Sequence, residues 1–90
     1  MTTSAGALPA EAITANLVAF LGNRTRQTVA TDLDLFGSGL VTSLFALELL
    51  VHLEGTFGVS VAGPDLVLDN FRTVEAMTAL VLRLAGGSHG

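Results

Sequence analysis

The chain of 90 residues contains no cysteine, tryptophan, tyrosine or lysine. Without cysteine there is neither a disulfide framework nor a thiolate metal site, which fits a reducing compartment. Four arginines against eight carboxylates leave a formal charge of -4. That excludes the basic stripe a nucleic-acid binder needs. An acidic chain points instead to a basic partner surface, although ordinary solubility charge explains so small an excess equally well. No apolar run reaches membrane-spanning length, because the stretch Leu44 to Leu53 is interrupted by Glu48 and His52. The segment Met1 to Gly6 has neither a basic region nor an apolar signal core. The expectation is a cytoplasmic protein with no membrane or nucleic-acid partner. With only five aromatic residues, all Phe, the core has to be made mostly of Leu, Val and Ala.

What is present suits one small helical domain, near the lower limit for a self-sufficient core. Flexible ends are expected over 1–9 and 86–90, around a folded domain over 10–85. Pro9 ahead of Ala10-Glu11 suits a helix start, with the carboxylate complementing the dipole. Ala10, Ile13, Leu17, Phe20 and Leu21 have helical spacing and predict a first helix over 10–22, ended by Gly22-Asn23. Residues 23–41 form a long connection, pinned by Leu33, Leu35 and Phe36 packing beneath the bundle. A second helix is expected over 43–56, with the Thr42 hydroxyl as its N-cap. Gly63-Pro64-Asp65 reads as a turn, Leu66 to Asn70 as a short third helix, and 73–84 as a fourth helix capped by Thr73.

The second helix has more apolar residues than one buried stripe requires. Ala46, Leu49, Leu50, Leu53 and Phe57 have core spacing, whereas Leu44, Leu47 and Val51 fall on another face with Glu48 and Glu54. Two carboxylates on that face favour a partner-facing patch over a merely central helix. Other candidates carry less. His52 and His89 are the only histidines, and no spacing supplies the three or four ligands a metal site needs, so His52 reads as a surface helix residue. Asp32 and Asp34 read as loop caps or solvated charge, not a catalytic pair. Ser38 and Ser43 both lack the Gly-x-Ser-x-Gly frame and a neighbouring base, so neither is a hydrolase nucleophile. Ser43, however, stands where the Gly37-Ser38-Gly39 segment gives way to the apolar helix. First-turn N–H groups and the dipole favour a phosphate there.

The assembled pattern resembles the acyl carrier protein family. It runs through Asp34-Leu35-Phe36, Gly39-Leu40-Val41, Thr42-Ser43-Leu44, Leu47-Glu48-Leu49-Leu50, Leu53-Glu54, Phe57-Gly58-Val59 and Phe71-Arg72-Thr73-Val74, covering about residues 10–84. The resemblance implies an all-α four-helix bundle with a long first loop and a short third helix. It also implies a monomer without catalysis of its own. The serine of the family's Asp-Ser-Leu signature corresponds to Ser43, which would receive 4'-phosphopantetheine from a phosphopantetheinyl transferase, with coenzyme A and Mg²⁺ as co-reactants. Thr42 replaces the signature Asp. That departure, with Ser43-Leu44-Phe45-Ala46, looks like free-standing carriers of methoxymalonyl, hydroxymalonyl or aminomalonyl extender units. The implied partners are then acyl-loading and modifying enzymes and an acyltransferase or synthase of a polyketide pathway, of the kind that makes antibiotics. Leu44, Leu47, Glu48, Val51 and Glu54 would form the partner-binding face, the two carboxylates steering weak encounters. A peptidyl or D-alanyl carrier is the alternative within the family. An unmodified helical interaction module is the alternative outside it.

Overall fold

The computed structural model describes residues 9–86, so the flexible ends expected over 1–9 and 86–90 lie outside the described residues apart from Pro9 and Gly86. Among the described residues there are three α-helices, α1 (Ala10–Thr25), α2 (Phe45–Phe57) and α3 (Val74–Gly86), and two 3-10 turns, Gly63–Asp65 and Leu68–Phe71. The expected four-helix bundle is therefore corrected to a three-helix domain. The short third helix fails for a local reason. Val67 is extended (φ -126, ψ 146) between the two turns and interrupts any continuous helical ladder. Asn70 Nδ2 donates to the Asp65 carbonyl at 2.8 Å, fixing the segment by a side-chain bond instead. So short a segment cannot offset the nucleation cost of an α-helix.

The core is aliphatic with one phenylalanine, as the composition requires. Ile13, Leu17 and Leu21 of α1 are buried against Val74, Met77, Leu80 and Val81 of α3, and Leu49 and Leu53 of α2 close the layer with Phe71. Two positions of the expected α1 stripe depart from it: Ala10 is exposed and Phe20 is only half-buried. α1 also runs past Gly22-Asn23, since an interior glycine costs only about 1 kcal/mol. It stops at Arg26, which takes the left-handed conformation (φ 62) while its N–H donates to the Gly22 carbonyl at 2.8 Å. α2 stops more conventionally at Gly58 (φ 70), whose N–H donates to the Glu54 carbonyl. The Thr73 cap of α3 is present: its Oγ1 accepts from the Ala76 N–H at 2.9 Å.

The long connection between α1 and α2 is part of the core. Val29 and Leu35 are buried, and Leu33 and Phe36 pack partly against the cluster. Its backbone is tied to the far side of the domain. The Glu75 N–H donates to the Thr31 carbonyl at 3.0 Å, and the Leu35 N–H donates to the Arg72 carbonyl at 2.8 Å.

Candidate functional site

The approach to Ser43 is built by Asp34, Leu35 and Arg72. Asp34 turns the chain by accepting from the N–H of Phe36 at 3.2 Å and of Gly37 at 2.8 Å. The Gly37 bond, more than the nearby Arg72 charge, holds the Asp34 carboxyl below its ordinary range. A Cβ at Gly37 would lie 2.4 Å from Asp34 Oδ2, so a larger residue there would have to displace the Asp34 carboxylate from this turn. Arg72 pairs with Asp69 at 2.8 Å and reaches Asp34 at 3.4 Å. The Leu35 carbonyl then accepts from the Val41 N–H at 3.1 Å. The residue two before Ser43 is thus connected through Leu35 to the Arg72 backbone.

The helix start differs from the expectation. α2 begins at Phe45, and no Thr42 side-chain cap forms. The carbonyls of Thr42, Ser43 and Leu44 instead accept from the N–H groups of Phe45, Ala46 and Leu47 at 2.9, 3.1 and 3.1 Å, a tight 3-10 turn that satisfies these first-turn donors without the hydroxyl. Ser43 is exposed at this turn. Among the described residues its Oγ makes no hydrogen bond, and the N–H groups of Ser43 and Leu44 have no protein partner. Among the described residues the serine therefore has an open hydroxyl, free backbone donors beside it and no base to activate it.

Below Ser43 the surplus apolar residues face solvent: Leu44 is 75% exposed, Leu47 61% and Val51 68%. Leu49, two residues from Leu47, is 0% exposed. Glu48 lies in the same patch and is ion-paired to Arg24 of α1. Glu54 is half-buried, and its Oε2 accepts from the Val61 N–H at 2.9 Å, holding the chain that follows α2. The structure thus brings Leu44, Leu47, Glu48 and Val51 together and turns the Glu54 carboxylate toward Val61.

Two depressions flank this face. One of about 430 Å³, between α1 and α2, is lined by Phe20, Arg24, Leu47, Glu48, Val51 and His52. The other, of about 300 Å³, is lined by Ala46, Leu47, Leu50, Leu66, Val67, Leu68 and Phe71. His52 is not the surface residue expected. Its ring stacks on Phe20 with centroids 3.9 Å apart, and its Nε2 donates to Asn16 Oδ1 at 2.7 Å. Burial, and secondarily Arg24, lowers its pKa from the ordinary value of 6.5. No group of three or more His, Cys, Asp or Glu able to hold a metal occurs among the described residues. No helix among them is long and apolar enough to cross a membrane.

Two features escaped the sequence reading. Arg24 falls four residues after Phe20, a helical spacing that lets its guanidinium lie over that ring, and the spacing was a usable signal. The partly exposed Leu66, Val67 and Leu68 had no such signal, because their exposure follows from the broken third helix.

A family model described as phosphopantetheine attachment site matches residues 11–81. Similar curated proteins are the D-alanyl carrier proteins of Lactococcus lactis subsp. cremoris, strains MG1363 and SK11, and of Lactococcus lactis subsp. lactis strain IL1403. Each is 34% identical over 50 residues, which cover 56% of this chain and 63% of the relative. The match thus spans less than two thirds of those relatives' length. These likenesses overturn the polyketide and antibiotic assignment drawn from Thr42 and the Ser-Leu-Phe-Ala string. A four-residue string beside one substitution is too short to identify cargo, and the longer match runs to D-alanyl carriers.

Proposed function

The chain belongs to the phosphopantetheine attachment site family, and we propose on that premise that it is an aminoacyl carrier of the D-alanyl type, with Ser43 as its attachment residue. Domains of this family carry and do not catalyse, and the chain is not an enzyme. Membership implies phosphopantetheine as the prosthetic group, and a phosphopantetheinyl transferase and loading enzymes as partners. The observation that carries the Ser43 reading is its exposed Oγ on a tight turn with two neighbouring N–H donors free.

The residues present fit a phosphodiester. The donors of Ser43 and Leu44 and the start of α2 favour a negative charge, an exposed and screened contribution of about 0.3–1 kcal/mol. When bound, the group supplies the thiol that a chain without cysteine lacks, so that cargo is held as a thioester. Ser43 Oγ would attack the pantetheine-bearing phosphorus of coenzyme A, forming the phosphoester as the pyrophosphate bond breaks and 3',5'-adenosine diphosphate leaves, while the transferase takes the hydroxyl proton, since no side chain among the described residues is placed to accept it. Leu44, Leu47, Glu48 and Val51 form the face on which partner enzymes dock, with Glu54 bracing its far end. The carrier domain spans residues 10–85, acts as a monomer and is placed in the cytoplasm, where the transferase draws on coenzyme A. The D-alanyl-type cargo rests on the matching relatives alone.

Incubation with coenzyme A, Mg²⁺ and a broad-specificity transferase, followed by intact mass, tests the site. The wild type gains one phosphopantetheine and Ser43→Ala gains none. An unmodified wild type would return the chain to the class of helical interaction modules. Offering the loaded protein D-alanine with an enzyme that activates it tests the cargo, and failure to form an alkali-labile D-alanyl adduct would remove that part of the proposal.

A further inference from the structure

The charges around α2 are arranged differently from what the net charge suggests. Glu48 is the acid at the centre of the apolar face, and Arg24 pairs with it. An exposed ion pair alone is weak and costs side-chain entropy. Arg24, however, is held independently of Glu48. Its guanidinium carbon lies 5.2 Å from the Phe20 ring centroid and 5.8 Å from that of Phe45, so one cation rests on two rings from two helices. The rings also lie near one another, with centroids 6.2 Å apart and an interplanar angle of 24°. The guanidinium is therefore already in place when Glu48 meets it.

Four of the chain's seven other acids are also engaged within the chain, by an arginine or a backbone N–H. Glu54 holds the Val61 N–H, Arg83 pairs with Asp65, and Arg72 pairs with Asp34 and Asp69. A formal charge of -4 thus coexists with a docking face whose central carboxylate has its counter-ion within the same chain.

We infer that Arg24 determines partner specificity: by holding Glu48 in an internal ion pair, it presents Leu44, Leu47 and Val51 as an apolar, nearly uncharged face. That face fits an apolar enzyme surface without a basic cluster. The inference deepens the carrier reading and rests on it, and it differs from the charge-guided docking expected from the sequence. The physical reason is desolvation. A free carboxylate carried against an apolar surface loses its water without compensation, whereas a paired one brings its partner along. If the partner were basic, Arg24 would compete with it for Glu48, and the pair would weaken docking.

The sign of one substitution decides between these cases. Binding of the unmodified protein to a broad-specificity phosphopantetheinyl transferase is measured by titration calorimetry without coenzyme A, between about 50 and 500 mM salt. Wild-type affinity should change less than about twofold across that range, because little free charge faces the partner. Arg24→Gln should weaken binding about fivefold or more at both salt concentrations, since it leaves Glu48 unpaired at a desolvated contact. The double variant R24Q/E48Q should return binding to near the wild-type level. A helix signal and melting temperature close to wild type confirm that the variants are folded. The inference is overturned if Arg24→Gln tightens binding at low salt and loses the gain at high salt, if it has no effect, or if the double variant gives no rescue. The carrier reading has its own readout in the same tubes: a wild type that gains mass with coenzyme A while Arg24→Gln behaves the wrong way sinks only the inference. A wild type that neither binds nor gains mass sinks both.

Discussion

Leu47 and Leu49 are the same residue type on one helix, two positions apart, and truncating each to alanine should have opposite consequences. Leu49 is 0% exposed and packed in the core, whereas Leu47 is 61% exposed. Leu49→Ala deletes buried methyl groups and leaves a cavity, a loss of about 3 kcal/mol within the usual range of about 2–5. Domains of this size have a total stability of only about 5–15 kcal/mol, so that is a large share. At roughly 4–8 °C per kcal/mol, the melting temperature should fall by about 12–24 °C. Leu47→Ala removes side-chain surface already in water, and alanine is the better helix former. Its stability should stay within about 0.5 kcal/mol of wild type. Its cost should appear in docking. Losing the side chain from an apolar contact is worth about 1–2 kcal/mol, roughly five- to thirtyfold in kcat/KM for phosphopantetheinylation. The loss should fall on KM with kcat little changed, as for uniform binding. Urea melts of both variants and transferase kinetics on Leu47→Ala make the test. If Leu47→Ala destabilises as much as Leu49→Ala, the residue belongs to the core. If it is modified at the wild-type rate, the exposed stripe is not the docking face.

Two further outcomes follow from single contacts. Thr73→Ala removes the hydroxyl that accepts the Ala76 N–H and should cost about 1 kcal/mol in urea denaturation, whereas Thr42→Ala, which breaks no cap, should cost less than about half of that. For His52, burial favours the neutral ring, so its folded pKa lies below the ordinary 6.5. The unfolded chain therefore binds more protons just below pH 6.5, and stability should be complete above that pH and decline as pH falls through the lowered folded value, a slope that His52→Gln should remove from melting curves taken across that window.

Periodicity located the three α-helices because each carries a buried stripe: Ile13, Leu17 and Leu21 in α1, Leu49 and Leu53 in α2, and Val74, Met77, Leu80 and Val81 in α3. It could not locate what depends on single bonds. α1 outruns Gly22-Asn23 because Arg26, an unfavourable residue for positive φ, closes it. The turn before α2 already supplies carbonyl acceptors to the N–H groups of Phe45, Ala46 and Leu47, so the Thr42 hydroxyl is not used. The stretch Leu66 to Asn70 has enough apolar residues for a helix, but the extended Val67 divides it. Leu35 was legible as a pin of the long loop, whereas the backbone bonds that tie Leu35 to Arg72 and Val41 have no signature in side-chain pattern. At the site, the position of Ser43 before an apolar helix could be read directly. The pairing of Glu48 could not, because Arg24 lies 24 residues away on another helix.

That limit bears on how an acidic carrier meets its enzymes. Net charge sets the long-range field, which salt screens beyond roughly 10 Å, whereas docking is decided by the groups that lose water at contact. In the docking proposed here those groups are Leu44, Leu47 and Val51, each more than half exposed, continuous at Leu47 with the partly exposed Leu66, Val67 and Leu68 across the smaller depression. A small domain with a limited core gains no stability from apolar side chains left in water, and contiguous apolar surface of this kind marks a contact site. Under the proposed docking, the face contributes to binding and not to folding. That separation allows a carrier to release one enzyme and meet the next without disturbing the core residues Leu49 and Leu53 on the opposite side of the same helix.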